Sequence, residues 1–177
     1  MERLAGDLIE LSTRHNFAHY LAMGAVLRGW ARSVSGDAVE GVSWIEDGIE
    51  DLRAAGSIMT LLSLLALKAE ALHLADRTPE ALEAIKEAEV LVERTEGRWW
   101  CAELYRLRGV FLAAIGAEER EIEASFCAAI GTAKEQKSGF PRKTRRSNLR
   151  RVPPPKSERV GRERVTTTCL VTACRRC

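Results

Sequence analysis

The stretch LRGWARSVSGDAVEGVSWIEDG, residues 27–48, reads as the end of one helix, a turn and the first half of another. Asp37 is suited to cap the second helix, and Glu40 stands three residues on in the capping-box position. Val42, Ile45, Ile49 and Leu52 then share one apolar stripe, spaced for a helix and not for a strand. Gly56 follows as a stop signal. Small residues punctuate the pair: Gly29 sits in the first helix, while Gly41 and Gly48 flank Ile45 in the second. Two helices whose backbones come close need that pattern.

The same signature returns at a fixed step. Gly29, Ala69 and Gly109 are 40 residues apart. Gly41-Ile45-Gly48 is matched by Ala81-Ile85-Ala88 and then by Ile122-Phe126-Ala129, the last set offset by 41 through an insertion around Ala117 to Arg120. Thr78-Pro79-Glu80 marks a helix start, with Pro at the first helical position and an acid near the positive end of the dipole. Its stripe runs Leu82, Ile85 and Val92, with Glu89 interrupting and Gly97 beyond. A further helix runs from near Arg98 through Leu104, Leu107, Phe111 and Ile115 to Gly116. Leu4, Leu8 and Leu11 mark a short leading helix. Seven helices are expected over residues 2–137, one leading helix and three antiparallel pairs, each pair burying its stripe only against the next.

A small residue in the first helix and a small–large–small triplet in the second is the tetratricopeptide spacing, lengthened from about 34 residues per repeat because the helices are longer. The predicted fold class is all-α, a tetratricopeptide-like solenoid over residues 1–138 followed by a disordered basic tail over residues 139–177. Particular runs go further: His15-Asn16-Phe17, Leu27-Arg28-Gly29-Trp30-Ala31, Val92-Glu93-Arg94-Thr95, and Arg98-Trp99-Trp100-Cys101-Ala102-Glu103-Leu104-Tyr105-Arg106-Leu107-Arg108-Gly109. Together they resemble the C-terminal tetratricopeptide region of the large bacterial predicted ATPases associated with adenylate/guanylate cyclase domains, over about Met1 to Ser138. That resemblance implies a repeat arm that docks a partner and controls an attached ATPase or cyclase. It also implies a piece of a longer protein, because the first helix matches the second half of an earlier repeat. The family's enzymatic activities do not carry over. The sequence contains no G-x-x-x-x-G-K-[ST] phosphate loop and no paired carboxylates in a context suited to two-metal cyclase chemistry.

Charge divides the chain as sharply as the repeats do. Up to Lys137 there are 15 Lys/Arg against 23 Asp/Glu, a net of −8; from Ser138 onward there are 12 against 2, a net of +10. The second part also carries Phe140-Pro141, Pro153-Pro154-Pro155 and few apolar residues, a composition that forms no packed core. A change of reading frame in the gene would produce such a break. The tail is expected to be dispensable for the fold, and its Arg-rich run supports only weak, nonspecific, salt-sensitive contact with nucleic acid or anionic lipid. It lacks interleaved aromatics on which bases could stack.

Other chemistries find little support. Met1 to Arg14 carries no continuous apolar region of a secretion signal, so a reducing cytoplasm and free thiols are expected. The longest apolar stretch, Ile58 to Leu67, is too short for the roughly 20 residues of a membrane span. Cys169, Cys174 and Cys177 lack the paired spacing and the histidines of a zinc site. His15 and His19 lie four apart on one helix face, yet no general base stands between them. No Ser or Cys has the surroundings of an activated nucleophile. We therefore expect no enzymatic activity, no cofactor, no metal and no catalytic residue. The alternative is a severed cyclase end whose activity needs missing domains. Trp99 and Trp100 open a helix, and one is expected to pack on the preceding helix while the other stays partly exposed.

The remaining expectation is a protein or peptide partner. In tetratricopeptide stacks the first helices line a groove, and the residues three before, one after and four after the small position face it. Counted from Gly29, Ala69 and Gly109, these are Val26, Trp30 and Ser33; Ala66, Glu70 and His73; Arg106, Val110 and Ala113. Glu103 shares the face of Arg106, one turn earlier. Trp30 would supply an aromatic platform, and Glu70, His73, Glu103 and Arg106 polar handles for an extended peptide. Val26, Ala66, Val110 and Ala113 equally suit packing.

Overall fold

A computed structural model of the chain describes residues 1–95 and 98–138. The described residues form seven α-helices and no strand: α1 (Glu2–Arg14), α2 (Ala18–Val34), α3 (Ala38–Ala54), α4 (Ile58–Leu74), α5 (Thr78–Thr95), α6 (Cys101–Ala114) and α7 (Glu119–Ser138). A 3₁₀ turn, Arg98–Trp100, leads into α6. The all-helical repeat fold is thus as the sequence predicts. The tail expected over residues 139–177, with its three cysteines, lies outside the described residues.

Turns repeat at half the step. Asn16, Gly36, Gly56, Asp76 and Gly116 all have left-handed backbones, with φ between 55° and 108°, and each follows the end of a helix. The next residue in each case sends its amide back five residues, as Phe17 does to Ser12 and Asp37 to Arg32. This closes the helix end by satisfying a carbonyl that lacks an intrahelical partner. Three of the five are glycine; Asn16 and Asp76 are the residue types that adopt this conformation at least cost after glycine.

Pairing follows the predicted order. The main packing is α2 on α3, α4 on α5 and α6 on α7, with α1 on α2, α3 on α4 and α5 on α6 joining the pairs. The small positions are where the helices touch. A Cβ on Gly29 would lie 2.5 Å from the carbonyl oxygen of Gly41, and one on Gly48 would lie 2.8 Å from that of Ala22. In the third pair the ring of Phe126 fills the space left by Gly109. One continuous core runs from Ala22 to Phe111, centred on Ile45, Leu65, Leu72, Ile85 and Leu104.

Along the stack the first helices touch one another, α2 on α4 and α4 on α6, more closely than the second helices do. We call the layer made by α2, α4 and α6 the inner face.

Three local expectations need correction. Asp37 makes no side-chain capping bond to its helix; its carboxylate and that of Glu40 instead hold Arg32, which reaches Asp37 at 2.9 Å. Charge-assisted bonds are the stronger kind, and Arg32 thereby ties the end of α2 to the start of α3. The helix expected from near Arg98 starts at Cys101, after the 3₁₀ turn. Cys101 is a partly buried free thiol, as expected, whereas Cys127 is disulfide-bonded. Trp99 and Trp100 behave as expected: Trp99 is 62% exposed, and Trp100 packs against the core. No described helix is long and apolar enough to cross a membrane.

Candidate functional site

Four of the five residues singled out for the inner face meet in one ladder across three helices. Trp30 on α2 donates its indole Nε1–H to Glu70 Oε2 on α4, at 3.0 Å. Glu70 Oε1 lies 3.7 Å from Arg106 Nη2 on α6. Arg106 in turn grips Glu103 with both Nε and Nη2, at 2.9 and 2.6 Å. This two-point hydrogen bond, more than the charge of Glu70, raises the Arg106 guanidinium above its ordinary value. Trp30 and Glu70 occupy equivalent places in successive repeats, and Arg106 sits one turn before the third. Helix geometry accounts for the meeting: residues at a common offset from the small positions project from one side of parallel helices.

His73 is oriented differently. Its Nδ1 shares a hydrogen bond with the Thr78 hydroxyl at 2.9 Å, and its ring packs at 5.0 Å from Phe111. It helps knit α4 to α5 and α6. Val26, Ser33 and Ala66, counted onto the same face, are buried in the core, and Ser33 bonds back to the carbonyl of Gly29. Only part of each first helix therefore looks outward.

What the offset rule missed is one turn further along. Val34 and Leu74 follow Trp30 and Glu70 by four residues and are 56% and 42% exposed. They put exposed apolar side chains one turn from the ladder, although Val39 and Ile58, at 81% and 48%, are exposed elsewhere too. The 40-residue spacing of Val34, Leu74 and Ala114 was available in the sequence as their signal.

A second column at the same step turns the other way. Arg28, Lys68 and Arg108 each precede the small position by one residue. The Arg28 guanidinium lies 4.8 Å over the Trp44 ring, Lys68 Nζ is 3.0 Å from Glu46, and Arg108 is 3.4 Å from Glu89. All three partners belong to second helices. Lys68 thereby reaches into a cleft of about 460 Å³ between α3, α4 and α5, together with Glu80, Glu83 and Glu87. Glu80 and Glu87 in that cleft are paired with Arg77 and Arg53. Another cleft, about 640 Å³, is lined by Val92, Glu93, Arg98, Cys101, Tyr105 and Gln136.

Hydroxyl–imidazole pairs occur among the described residues, Ser57 with His19 at 3.0 Å and Thr78 with His73 at 2.9 Å. Both hydroxyls stand at helix starts and tie them to another helix, α4 to α2 and α5 to α4, a structural use of the same atoms that nucleophilic catalysis would need. Among the described residues, no group of three or more His, Cys, Asp or Glu is placed to hold a metal ion.

No known protein-family profile matches the chain. A curated protein of Rhizobium meliloti, itself uncharacterized, is 25% identical over 136 residues, which is 77% of this chain and 13% of that protein. Among solved structures, Bacillus thuringiensis PlcR, determined in complex with the peptide PapR7 and DNA, is similar with a TM-score of 0.62 and 21% identity. The match covers 66% of this chain and 42% of PlcR, and shows the fold. The chain thus spans less than half the length of either protein.

Proposed function

We propose that this chain is a non-catalytic interaction scaffold whose inner face binds an extended peptide segment of a partner protein. The observation that carries the reading is the Trp30–Glu70–Arg106–Glu103 ladder, which joins all three first helices and lies beside exposed Val34 and Leu74. An aromatic ring, polar groups held in fixed geometry and flanking apolar side chains are what helical-repeat grooves present to extended chains. PlcR, the structural neighbour, was solved with a peptide bound, and a peptide is the class of partner this face suits.

The sequence resemblance adds a setting. As a repeat arm of a larger cyclase- or ATPase-linked signalling protein, the chain would dock that partner and pass its presence to an attached domain. The Rhizobium meliloti relative, of which this chain spans 13%, leaves room for such domains. The basic segment after Ser138 would add at most weak, nonspecific contact with nucleic acid.

A peptide array probed with the purified chain tests the reading. Binding to a subset of peptides should be lost in the Trp30→Ala, Arg106→Ala double variant, and ATP turnover and cyclic-nucleotide formation should stay at background. An array signal unchanged in the double variant would remove the inner face as the site, and turnover above background would remove the non-catalytic assignment.

A further inference from the structure

We infer that the inner face selects a segment carrying a positively charged side chain, Lys or Arg, which seats on the open part of the Trp30 ring beside Glu70. This rests on the inner face being a peptide groove, and it follows from how the structure distributes charge.

The first helices carry Arg28, Arg32, Lys68, Arg106 and Arg108 against only Glu70 and Glu103, so composition alone suggests a basic groove. The geometry reverses this. Arg28, Lys68 and Arg108 are committed to Trp44, Glu46 and Glu89 on the second helices. Arg32 is held by Asp37 and Glu40 at the start of α3. Among the described residues of the first helices, one guanidinium, Arg106, is left in the ladder against two carboxylates.

Arg106 spends itself mainly on Glu103, with two hydrogen bonds, and stands 3.7 Å from Glu70. Glu70 receives one close hydrogen bond, from the uncharged indole N–H. Its side chain keeps 32% of its accessible surface. An incompletely neutralised carboxylate is therefore fixed at the edge of a partly exposed aromatic ring. The ring face attracts a cation through its quadrupole, and Trp does so best among aromatics. Val34 and Leu74, one turn on, offer apolar surface for the methylene stem of a lysine or arginine, whose head then reaches the carboxylate. An acidic side chain at the same place would meet repulsion from Glu70, and the ladder's one cation is already engaged by Glu103.

The test uses the full chain and three fluorescent peptide libraries with randomised flanks, differing only in a fixed central residue: lysine, norleucine or glutamate. Anisotropy at low salt should give the order lysine, norleucine, glutamate, with lysine about tenfold tighter than norleucine. Glu70→Gln should collapse the lysine-to-norleucine ratio measured within that variant to about one, whatever its overall affinity. Arg106→Gln, which frees a second carboxylate, should widen the lysine preference. Glutamate equal to or above lysine, or lysine equal to norleucine, with binding still dependent on Trp30, would overturn the inference and leave the peptide groove standing. Failure of all three libraries to bind would overturn both.

Discussion

Trp30 and Glu70 stand one 40-residue step apart and are joined by a 3.0 Å hydrogen bond from indole Nε1 to carboxylate Oε2. Stability in a repeat stack is a sum of pair terms and nearest-neighbour interfaces, so a bond between equivalent positions of adjacent pairs acts on the interface term alone. A double-mutant cycle with Trp30→Phe and Glu70→Leu, neither of which keeps its half of the bond, should therefore show a coupling of about 1 kcal/mol in urea unfolding. Additive losses would mean that the two groups hold nothing between them.

The glycines separate into two sets with opposite expected signs. A Cβ at Gly29 meets backbone at 2.5 Å, and one at Gly41 meets the Gly29 carbonyl oxygen at 2.4 Å. Backbone cannot rotate aside, so α2 and α3 must part; Gly29→Ala and Gly41→Ala should each cost about 1–3 kcal/mol. Gly6 and Gly131 lie inside helices, and a methyl added at either would find nothing within 4 Å. Gly→Ala there should gain about 0.5–1 kcal/mol. Thermal melts of the four variants decide it, and the scheme fails if the two sets shift in the same direction.

These glycines also explain why so much of the fold was legible. A close helix crossing leaves no room for a side chain, so the contact imprints small residues at fixed places, and three repeats expose the 40-residue step. Helix closure was legible only in part, because Asn16 and Asp76 take the left-handed role that glycine fills at Gly36, Gly56 and Gly116. The ladder could be read because a common offset from Gly29, Ala69 and Gly109 fixes direction along parallel helices. Burial could not. Whether Val26, Ser33 or His73 faces water depends on how closely the next helix approaches, and no spacing within one helix encodes that distance. The basic column Arg28, Lys68 and Arg108 was equally periodic, but its direction is set by Trp44, Glu46 and Glu89 on the second helices.

Acid should weaken one surface pairing in a defined direction. Arg77 donates from Nε and Nη2 to the two oxygens of Glu80, at 2.6 and 2.5 Å. That hydrogen bonding, more than simple charge attraction, holds the Glu80 carboxyl below its ordinary value, against a smaller opposing effect of burial. A depressed carboxyl contributes stability that is present above its unfolded value and is lost as pH falls through the folded one. Glu80→Gln should therefore flatten the acid limb of the stability curve slightly, as expected of an exposed pair. Carbon-detected NMR should show Glu80 titrating lower in the parent than in Arg77→Gln; equal midpoints would refute the pairing.

Cys101 should be a slow thiol whose reactivity reports on Arg98. It occupies the first turn of α6 and lines the cleft between α5, α6 and α7 with Tyr105, Glu93 and Arg98. Burial pushes its thiol above the ordinary value, and the nearby Arg98 charge pulls partly in the other direction. The thiolate is the reactive form, so at neutral pH Cys101 should alkylate with iodoacetamide more slowly in the folded chain than in urea. Arg98→Gln removes the favourable charge and leaves the burial, and should slow the folded-state reaction further without changing the rate in urea. Peptide-resolved mass spectrometry separates Cys101 from the other cysteines. Faster labelling in Arg98→Gln would show that the arginine shields the thiol by covering it, a steric effect opposite in sign to the electrostatic one.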